Sequence, residues 1–104
     1  MATSTIKRMP TIANINHDTP LLDLDAPTSV VSLVNGWASS KQNYPSDFGN
    51  YMGAIITVWT YTNTPTVFTP DAASLVQILV REDGKMYSRY KSGDNWGTWR
   101  SATS

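Results

Sequence analysis

The amino-acid sequence predicts a small, mainly β domain, and three observations support that prediction. Eleven of the 104 residues are Trp, Tyr or Phe, and β-branched and hydroxyl-bearing residues fill much of the remainder. Six glycines and six prolines are scattered along the chain, as is typical of strands joined by turns. A chain of this length forms one domain, which buries roughly 65% of the surface that its unfolded form exposes. We therefore expect a small antiparallel β-sheet or sandwich knob with long loops.

The first 27 residues show no hydrophobic period and contain Pro10, Pro20 and Pro27. Their apolar side chains nevertheless indicate that this N-terminal arm has surface to bury. These side chains are Ile12, Ile15, Leu21, Leu22 and Leu24. We expect the arm, residues 1–27, to pack on the β knob, residues 28–104, or on neighbouring copies of the chain.

The run from Thr28 to Val34 fits either a short helix that ends at Asn35-Gly36 or a buried strand that leads into a turn. Asn-Gly suits the C-terminus of a helix, and the apolar residues of the run do not alternate with polar ones. These two features favour one short helical turn. An irregular loop over residues 40–52 follows.

Three strands are predicted in the second half of the chain. Residues 53–61 are almost entirely β-branched or aromatic, so both faces of this strand are expected to be covered. The next two strands are residues 74–81 and 85–91, after an irregular connector at 62–73. Asp83-Gly84 lies between these two strands and supplies the positive-φ residue of a tight hairpin turn.

A two-residue turn at Asp83-Gly84 would also fix the register of the hairpin. The predicted cross-strand pairs are Glu82 with Lys85, Val80 with Tyr87, Leu79 with Ser88, and Gln77 with Tyr90. After the hairpin, a second turn leads into a terminal segment that contains Trp96 and Trp99.

The composition argues against several classes of function. Charged residues make up only 15% of the chain, and eight Lys and Arg balance eight Asp and Glu, so the basic surface needed for nucleic acid is not expected. No run of 18 apolar residues is present, so we expect no membrane insertion. Without cysteine the chain has neither disulfides nor thiolate metal sites.

Catalysis and metal binding find little support. His17 is the only histidine, and its spacing from Asp18, Asp23 and Asp25 matches no known metal-ligand pattern, so a solvated acidic loop is the simpler interpretation. A nucleophilic serine would have to meet His17 from an unrelated segment. Most of the carboxylates lie in turns or in the arm, where solvent keeps their pKa values ordinary. We expect no catalytic residues, no metal and no cofactor.

Carbohydrate binding needs less, because flat aromatic rings stack on sugar faces and a few polar groups fix the hydroxyls. Aromatic residues on strands more often belong to the core, whereas those on loops are better ligand candidates. The candidate ligand-binding residues lie in the two irregular stretches, 40–52 and 62–73. They are Asn43, Tyr44, Phe48, Tyr51, Phe68 and Asp71.

Several short motifs follow one another in a characteristic order. They are Asn43-Tyr44-Pro45, a strand that opens with Gly53, Leu75-Val76-Gln77, Met86-Tyr87-Ser88-Arg89 and Asn95-Trp96-Gly97-Thr98-Trp99-Arg100. In this order they resemble the knob domain of phage tail fibres and phage-tail-like pyocins, over about residues 28–101. Trp37 and the long, proline-containing connector at 62–73 depart from the pattern of that family.

The resemblance implies a non-catalytic homotrimeric tip that binds a bacterial surface glycan or an outer-membrane receptor. It would be made in the host cytoplasm, carried on the virion tail, and act outside the cell. The resemblance also implies a structural framework of Gln77, Tyr87, Arg89, Trp96, Trp99 and Arg100, to which we add Trp59 from the apolar strand. Two other functions stay open: a trimerising assembly module of the fibre, and a carbohydrate-binding module of a cell-wall enzyme.

Overall fold

A computed structural model of the protein describes residues 15–61 and 74–102, and for residues 15–18 and 59–61 it describes the backbone only. Within these ranges seven strands form one sheet. They are β1 (Ile15–Leu21), β2 (Val31–Asn35), β3 (Met52–Tyr61), β4 (Ser74–Arg81), β5 (Met86–Ser92), β6 (Asn95–Trp96) and β7 (Arg100–Ser101). The strand order is β1-β2-β3-β4-β5-β6, and β7 also pairs with β5. The fold is mainly β, as predicted.

Only the first pair of strands in the sheet is parallel. β1 runs parallel to β2, while each of the other pairs is antiparallel. The described ranges contain no helix, and so none that is long and apolar enough to cross a membrane. The described residues therefore form a single sheet and not a sandwich.

β2 corrects the prediction of a helical turn after Thr28. Its residues alternate between buried and half-buried, and Ser32 and Val34 point into the core with no exposed surface. Ser32 can be buried because its hydroxyl lies 2.9 Å from the hydroxyl of Ser29, so the polar group is not left without a partner. The alternation of β2 was hidden in the sequence because a serine occupies a core position.

The core lies on one side of the sheet. Its apolar residues are Leu21, Leu24, Val34, Phe48, Ile55, Leu79 and Tyr87, and the half-buried rings of Tyr44 and Trp99 pack against them. Part of this core comes from the N-terminal arm, because β1 joins the sheet and Leu24 is fully buried. The described part of the arm thus packs on the β knob, with Leu22 exposed; Ile12 lies outside the described residues.

The hairpin of β4 and β5 forms as predicted, but its register differs by one residue. Arg81 N–H donates to Lys85 O at 2.8 Å, so the loop contains three residues, 82–84, rather than two. Gly84 has a φ of +95°, which confirms the predicted positive-φ residue. The observed pairs are Val80 with Met86, Leu79 with Tyr87, Ile78 with Ser88, and Gln77 with Arg89.

Candidate functional site

A cleft of about 590 Å³ opens between two segments that lie far apart in the sequence. Residues 43–47 line one part of it, and residues 97–99 with Ser101 line another. Tyr87 and Arg89 of β5 contribute the rest of the lining. The pairing of β7 with β5 brings the C-terminal segment to this position, with Ser101 opposite Tyr87.

Asn43 lines the cleft and is hydrogen-bonded both to the N-terminal arm and to the C-terminal segment. Its backbone has a φ of +64°, which asparagine tolerates better than most residues other than glycine. Its side-chain Nδ2 donates to Asp23 Oδ1 at 2.7 Å, and its carbonyl accepts a 2.8 Å hydrogen bond from Trp99 Nε1. The loop at 43–47 is therefore held on one side by the arm and on the other by the C-terminal segment.

Tyr44 lines the cleft, but its polar group is already used within the protein. The hydroxyl donates to Leu21 O at 2.6 Å and accepts from Asn35 N–H at 3.0 Å. Burial raises the pKa of Tyr44, so the phenol stays protonated and can donate. The ring packs edge-to-face on Phe48, with 5.4 Å between the centroids. Tyr44 thus positions the loop more than it offers a free surface to a ligand.

The other predicted ligand residues do not gather at the cleft. Phe48 is fully buried in the core beside Tyr87, with 6.0 Å between the ring centroids, so its ring offers no face to a ligand. Tyr51 is exposed, but its ring lies against the guanidinium of Arg81, 4.1 Å from the centroid, outside the cleft lining. Phe68 and Asp71 fall outside the described residues.

Several of the predicted framework residues meet around Arg89. Its guanidinium carbon lies 4.1 Å from the ring centroid of Trp96 and 4.5 Å from that of Trp99. Its Nη2 lies 2.8 Å from Asp25 Oδ1, an ion pair whose alignment is not that of a hydrogen bond. Burial lowers the pKa of Arg89, and the Asp25 carboxylate partly opposes that effect. The two tryptophans of the C-terminal motif therefore flank one buried cation.

Gln77 completes this network on the neighbouring strand. Its Oε1 accepts from Arg89 Nε at 2.7 Å, while its Nε2 donates to Leu24 O at 2.8 Å and to Thr57 Oγ1 at 3.2 Å. The amide thus joins three segments of the chain: the arm, β3 and β5. Every polar atom of this fully buried side chain has a partner.

The remaining framework residues differ in what the structure shows. Tyr87 is buried in the core, and Trp99 packs against it. Trp59 belongs to β3, but its side chain is not described. Arg100 is exposed on β7 and has no side-chain hydrogen bond or ion pair to another described residue, so it takes no part in the framework seen here.

The two charged side chains of the cleft lining, Asp47 and Arg89, are each paired with an opposite charge outside the lining. Lys85 Nζ binds Asp47 Oδ2 at 2.8 Å, and this contact lowers the pKa of Asp47. Asp47 therefore stays ionised near neutral pH and can only accept hydrogen bonds. The uncharged polar groups of the lining include Ser46, Thr98 and Ser101. No cluster of three or more potential metal ligands occurs in the described ranges.

Sequence reasoning missed the part that the C-terminal segment plays in the cleft. It assigned Trp96, Trp99 and Arg100 to the framework and placed the candidate ligand-binding residues on the loops at 40–52 and 62–73. The available signal was Thr98, a small hydroxyl-bearing residue between two tryptophans. The C-terminal segment reaches the cleft because β7 pairs with β5. A strand of only two residues is too short to be predicted from the sequence.

Comparisons of the chain with family models, with curated proteins and with solved structures gave no match.

Proposed function

We propose that this chain is the non-catalytic tip domain of a phage or phage-like tail fibre and that it binds a saccharide on the host surface. In this proposal the saccharide lies in the cleft between residues 43–47 and 97–101. The observation that supports it best is the lining, in which neutral hydroxyl and amide groups stand beside an indole, while Asp47 and Arg89 are each paired with an opposite charge outside the lining.

The size and chemistry of the cleft suit one or two sugar rings. A volume of about 590 Å³ lies within the usual range for small-ligand sites, about 300–1,000 Å³. The hydroxyls of Ser46 and Thr98 can each donate and accept, as sugar hydroxyls do, and the ionised Asp47 offers acceptors only. The apolar part of Trp99 gives a sugar ring a surface to pack on. A neutral ligand fits better than an acidic one, because Arg89 is already paired with Asp25.

Binding without catalysis fits the charged groups of the cleft. Glycoside hydrolysis uses two carboxyl groups, one of which has a raised pKa so that it can donate a proton. The pKa of Asp47 is shifted in the opposite direction by Lys85. The proposal therefore requires no cofactor and no metal.

An open cleft of this kind gives weak affinity at a single site. In a homotrimer, three clefts act together on one fibre tip, and the effective concentration of the second and third sites raises avidity without new contacts. A role as an assembly module of the fibre is the second candidate, supported by Val58, Met86 and Tyr90, which are exposed on the face of the sheet opposite the core.

The proposal can be tested by blocking the cleft from its exposed rim. Ser46 and Thr98 are both exposed, so Ser46→Arg and Thr98→Arg should fill the cleft without disturbing the core. Ser39→Arg, on an exposed turn outside the cleft lining, is the matched control. Binding would be measured on a glycan array and on cells of the native host, together with the melting temperature of each variant.

We expect both cleft variants to lose binding with unchanged melting temperatures, while Ser39→Arg binds like the parent. Parent-like binding by both variants would contradict the assignment of the cleft. A parent protein that binds neither glycans nor cells would contradict the receptor role and favour the assembly role.

A further inference from the structure

Arg89 lies in the lining of the cleft and has more hydrogen-bond donors than the protein uses. Its side chain is only 4% exposed, yet Nε alone donates an aligned hydrogen bond to a described residue, Gln77. Nη2 is buried beside Asp25 without such a bond, and Nη1 has no partner within the described ranges. Because a buried donor without a partner costs free energy, this guanidinium keeps donors that a ligand in the cleft can satisfy.

Arg89 and Asp47 give the cleft two groups whose hydrogen-bonding roles are fixed and opposite. The guanidinium can only donate, whereas the ionised carboxylate of Asp47, which is 59% exposed, can only accept. A sugar hydroxyl does both and matches neither group in particular. An amide has an oxygen that only accepts and an N–H that only donates, and in the trans form they point to opposite sides. An amide group therefore complements this pair of residues better than a hydroxyl does.

The lining also offers apolar surface beside these polar groups. Pro45 and Trp99 both line the cleft, and the ring centroid of Trp99 lies 4.5 Å from the guanidinium carbon of Arg89. A small apolar group attached to the amide can therefore pack on the indole while the amide oxygen faces the guanidinium. An acetyl group on nitrogen has this combination of a carbonyl oxygen and a methyl group.

We propose that the saccharide held in the cleft is an N-acetylated sugar, whose acetamido oxygen accepts a hydrogen bond from Arg89 and whose methyl group packs on Trp99. This inference rests on the proposed saccharide binding and names the class of sugar. Asp25, which lies outside the cleft lining, sets the preference for a neutral sugar. Its carboxylate, 2.8 Å from Nη2, neutralises Arg89, so a carbonyl oxygen is preferred to the carboxylate of an acidic sugar.

The class of sugar can be tested on the parent protein, without a variant of Arg89 that must fold. The probes are the methyl β-glycosides of N-acetylglucosamine, glucose and glucuronic acid, and the same three forms in the galacto series. Dissociation constants would be measured by NMR titration into the millimolar range. The signals to follow are the ¹⁵N–¹H pairs of Arg89 Nε and Trp99 Nε1, which report on the cleft.

The role of Asp25 can be tested with Asp25→Asn. This variant removes the negative charge beside Arg89 and keeps a side chain of nearly the same size. Asp94→Asn is the matched control, because it changes the net charge equally at an exposed position outside the cleft lining, with no ion pair in the described ranges. The melting temperatures of both variants would be measured alongside the titrations.

We expect the N-acetylated sugar of the series that binds to bind about tenfold more tightly than the plain hexose, because it adds a hydrogen bond to a charged donor. It should also shift the Arg89 signal. The uronic acid should bind the parent most weakly. Asp25→Asn should raise the affinity for the uronic acid about tenfold, whereas Asp94→Asn should behave like the parent. If Asp25→Asn does not fold, the sugar series on the parent decides the test.

The inference and the proposed function fail in different ways. Equal binding of the N-acetylated sugar and the plain hexose, tighter binding of the uronic acid, or binding that leaves the Arg89 signal unchanged would overturn the inference and leave saccharide binding in place. A folded Asp25→Asn protein with unchanged affinity for the uronic acid would overturn the role of Asp25. If only longer glycans bind, the same comparison is made on the glycan array. A parent that binds no probe and no glycan would contradict the proposed function itself.

Discussion

Gln77 and Arg89 are direct cross-strand partners, and Arg89 Nε donates a 2.7 Å hydrogen bond to Gln77 Oε1. Both side chains are buried on the core side of the sheet. Burying a polar group costs free energy unless the group has a partner. Each of these residues has a second partner in the arm: Leu24 O for Gln77, and Asp25 for Arg89. The pair therefore fixes where residues 24–25 cross the sheet.

Replacing Arg89 should destabilise the protein strongly. In Arg89→Leu, Gln77 Oε1 loses its buried donor, Asp25 loses its cation, and both tryptophan rings lose the contact with the guanidinium. We expect a loss of about 3 kcal/mol in the free energy of unfolding. Arg89→Lys should lose most of this as well, because an ammonium group cannot replace the planar fork of donors.

The effect of replacing Arg89 can be measured by urea denaturation, with tryptophan fluorescence as the signal. Arg100→Leu is the control, because Arg100 is exposed on β7 and should change the midpoint little. An Arg89→Leu protein with the midpoint of the parent would show that the network contributes nothing net to stability.

Gly84→Ala should lower the free energy of unfolding by about 1 kcal/mol, through backbone strain alone. Gly84 has a φ of +95°, and an added Cβ would meet no atom within 4 Å, so no steric clash contributes. Gly84→Asn is the matched comparison and should cost less, since asparagine tolerates positive φ better than alanine. Thermal denaturation of the two variants checks this, and equal melting temperatures for the Ala variant and the parent would contradict it.

Protonation of Asp83 in acid should lower the stability of the protein. The ion pair with Arg81, at 2.6 Å, lowers the pKa of Asp83 from its ordinary value of 3.8 to about 2. Because the folded state releases this proton more readily than the unfolded state, the contribution is complete above pH 3.8 and is lost as the pH falls towards 2. In Asp83→Asn, the decline in melting temperature over this interval should be smaller than in the parent.

The control for the acid prediction is Asp94→Asn. Asp94 is exposed in the turn after β5 and forms no ion pair within the described ranges, so the parent's decline should persist in this variant. A decline of equal size in the Asp83→Asn protein would contradict the role of the Asp83–Arg81 pair.

The strands β3, β4 and β5 could be predicted from the sequence because their side chains are β-branched or aromatic over many residues. The register of the hairpin could not. A two-residue and a three-residue loop both need a glycine with positive φ, and Gly84 satisfies either one. In the observed three-residue loop, Arg81 pairs with Asp83 and donates to the carbonyls of Asp47 and Phe48, contacts between distant segments that the local sequence pattern does not reveal.

The candidate site was predicted less well, for a related reason. The sequence pattern predicts that Phe48 lies on a loop but does not show the direction of its side chain. In the structure the ring of Phe48 points into the core. Asn43 and Tyr44 do reach the cleft, although they act there through hydrogen bonds to the protein. The placing of Arg89 beside Trp96 and Trp99 depends on the pairing of strands that are distant in sequence, which a local pattern does not encode.

Trp99 allows the structural role and the binding role of the C-terminal motif to be separated. Its ring is half-buried against the core and lies beside Arg89, and its Nε1 holds the carbonyl of Asn43 at 2.8 Å. Trp99→Ala removes the ring and the hydrogen bond, and we expect a loss of about 2–3 kcal/mol in the free energy of unfolding. Trp99→Phe keeps an aromatic ring and removes only the donor, so about 1 kcal/mol should be lost.

Stability and glycan binding should therefore fall together in Trp99→Ala, because the same side chain supports the core and ties down the loop at 43–47. In Trp99→Phe the protein should remain folded, and a loss of binding would report on two changes together: the loop released when Asn43 O loses its donor, and the smaller ring offered to the sugar. Urea denaturation and binding to host cells, measured on both variants, check the two effects separately. A Trp99→Ala protein with the stability of the parent and no binding would contradict the framework role and leave Trp99 as a ligand contact only.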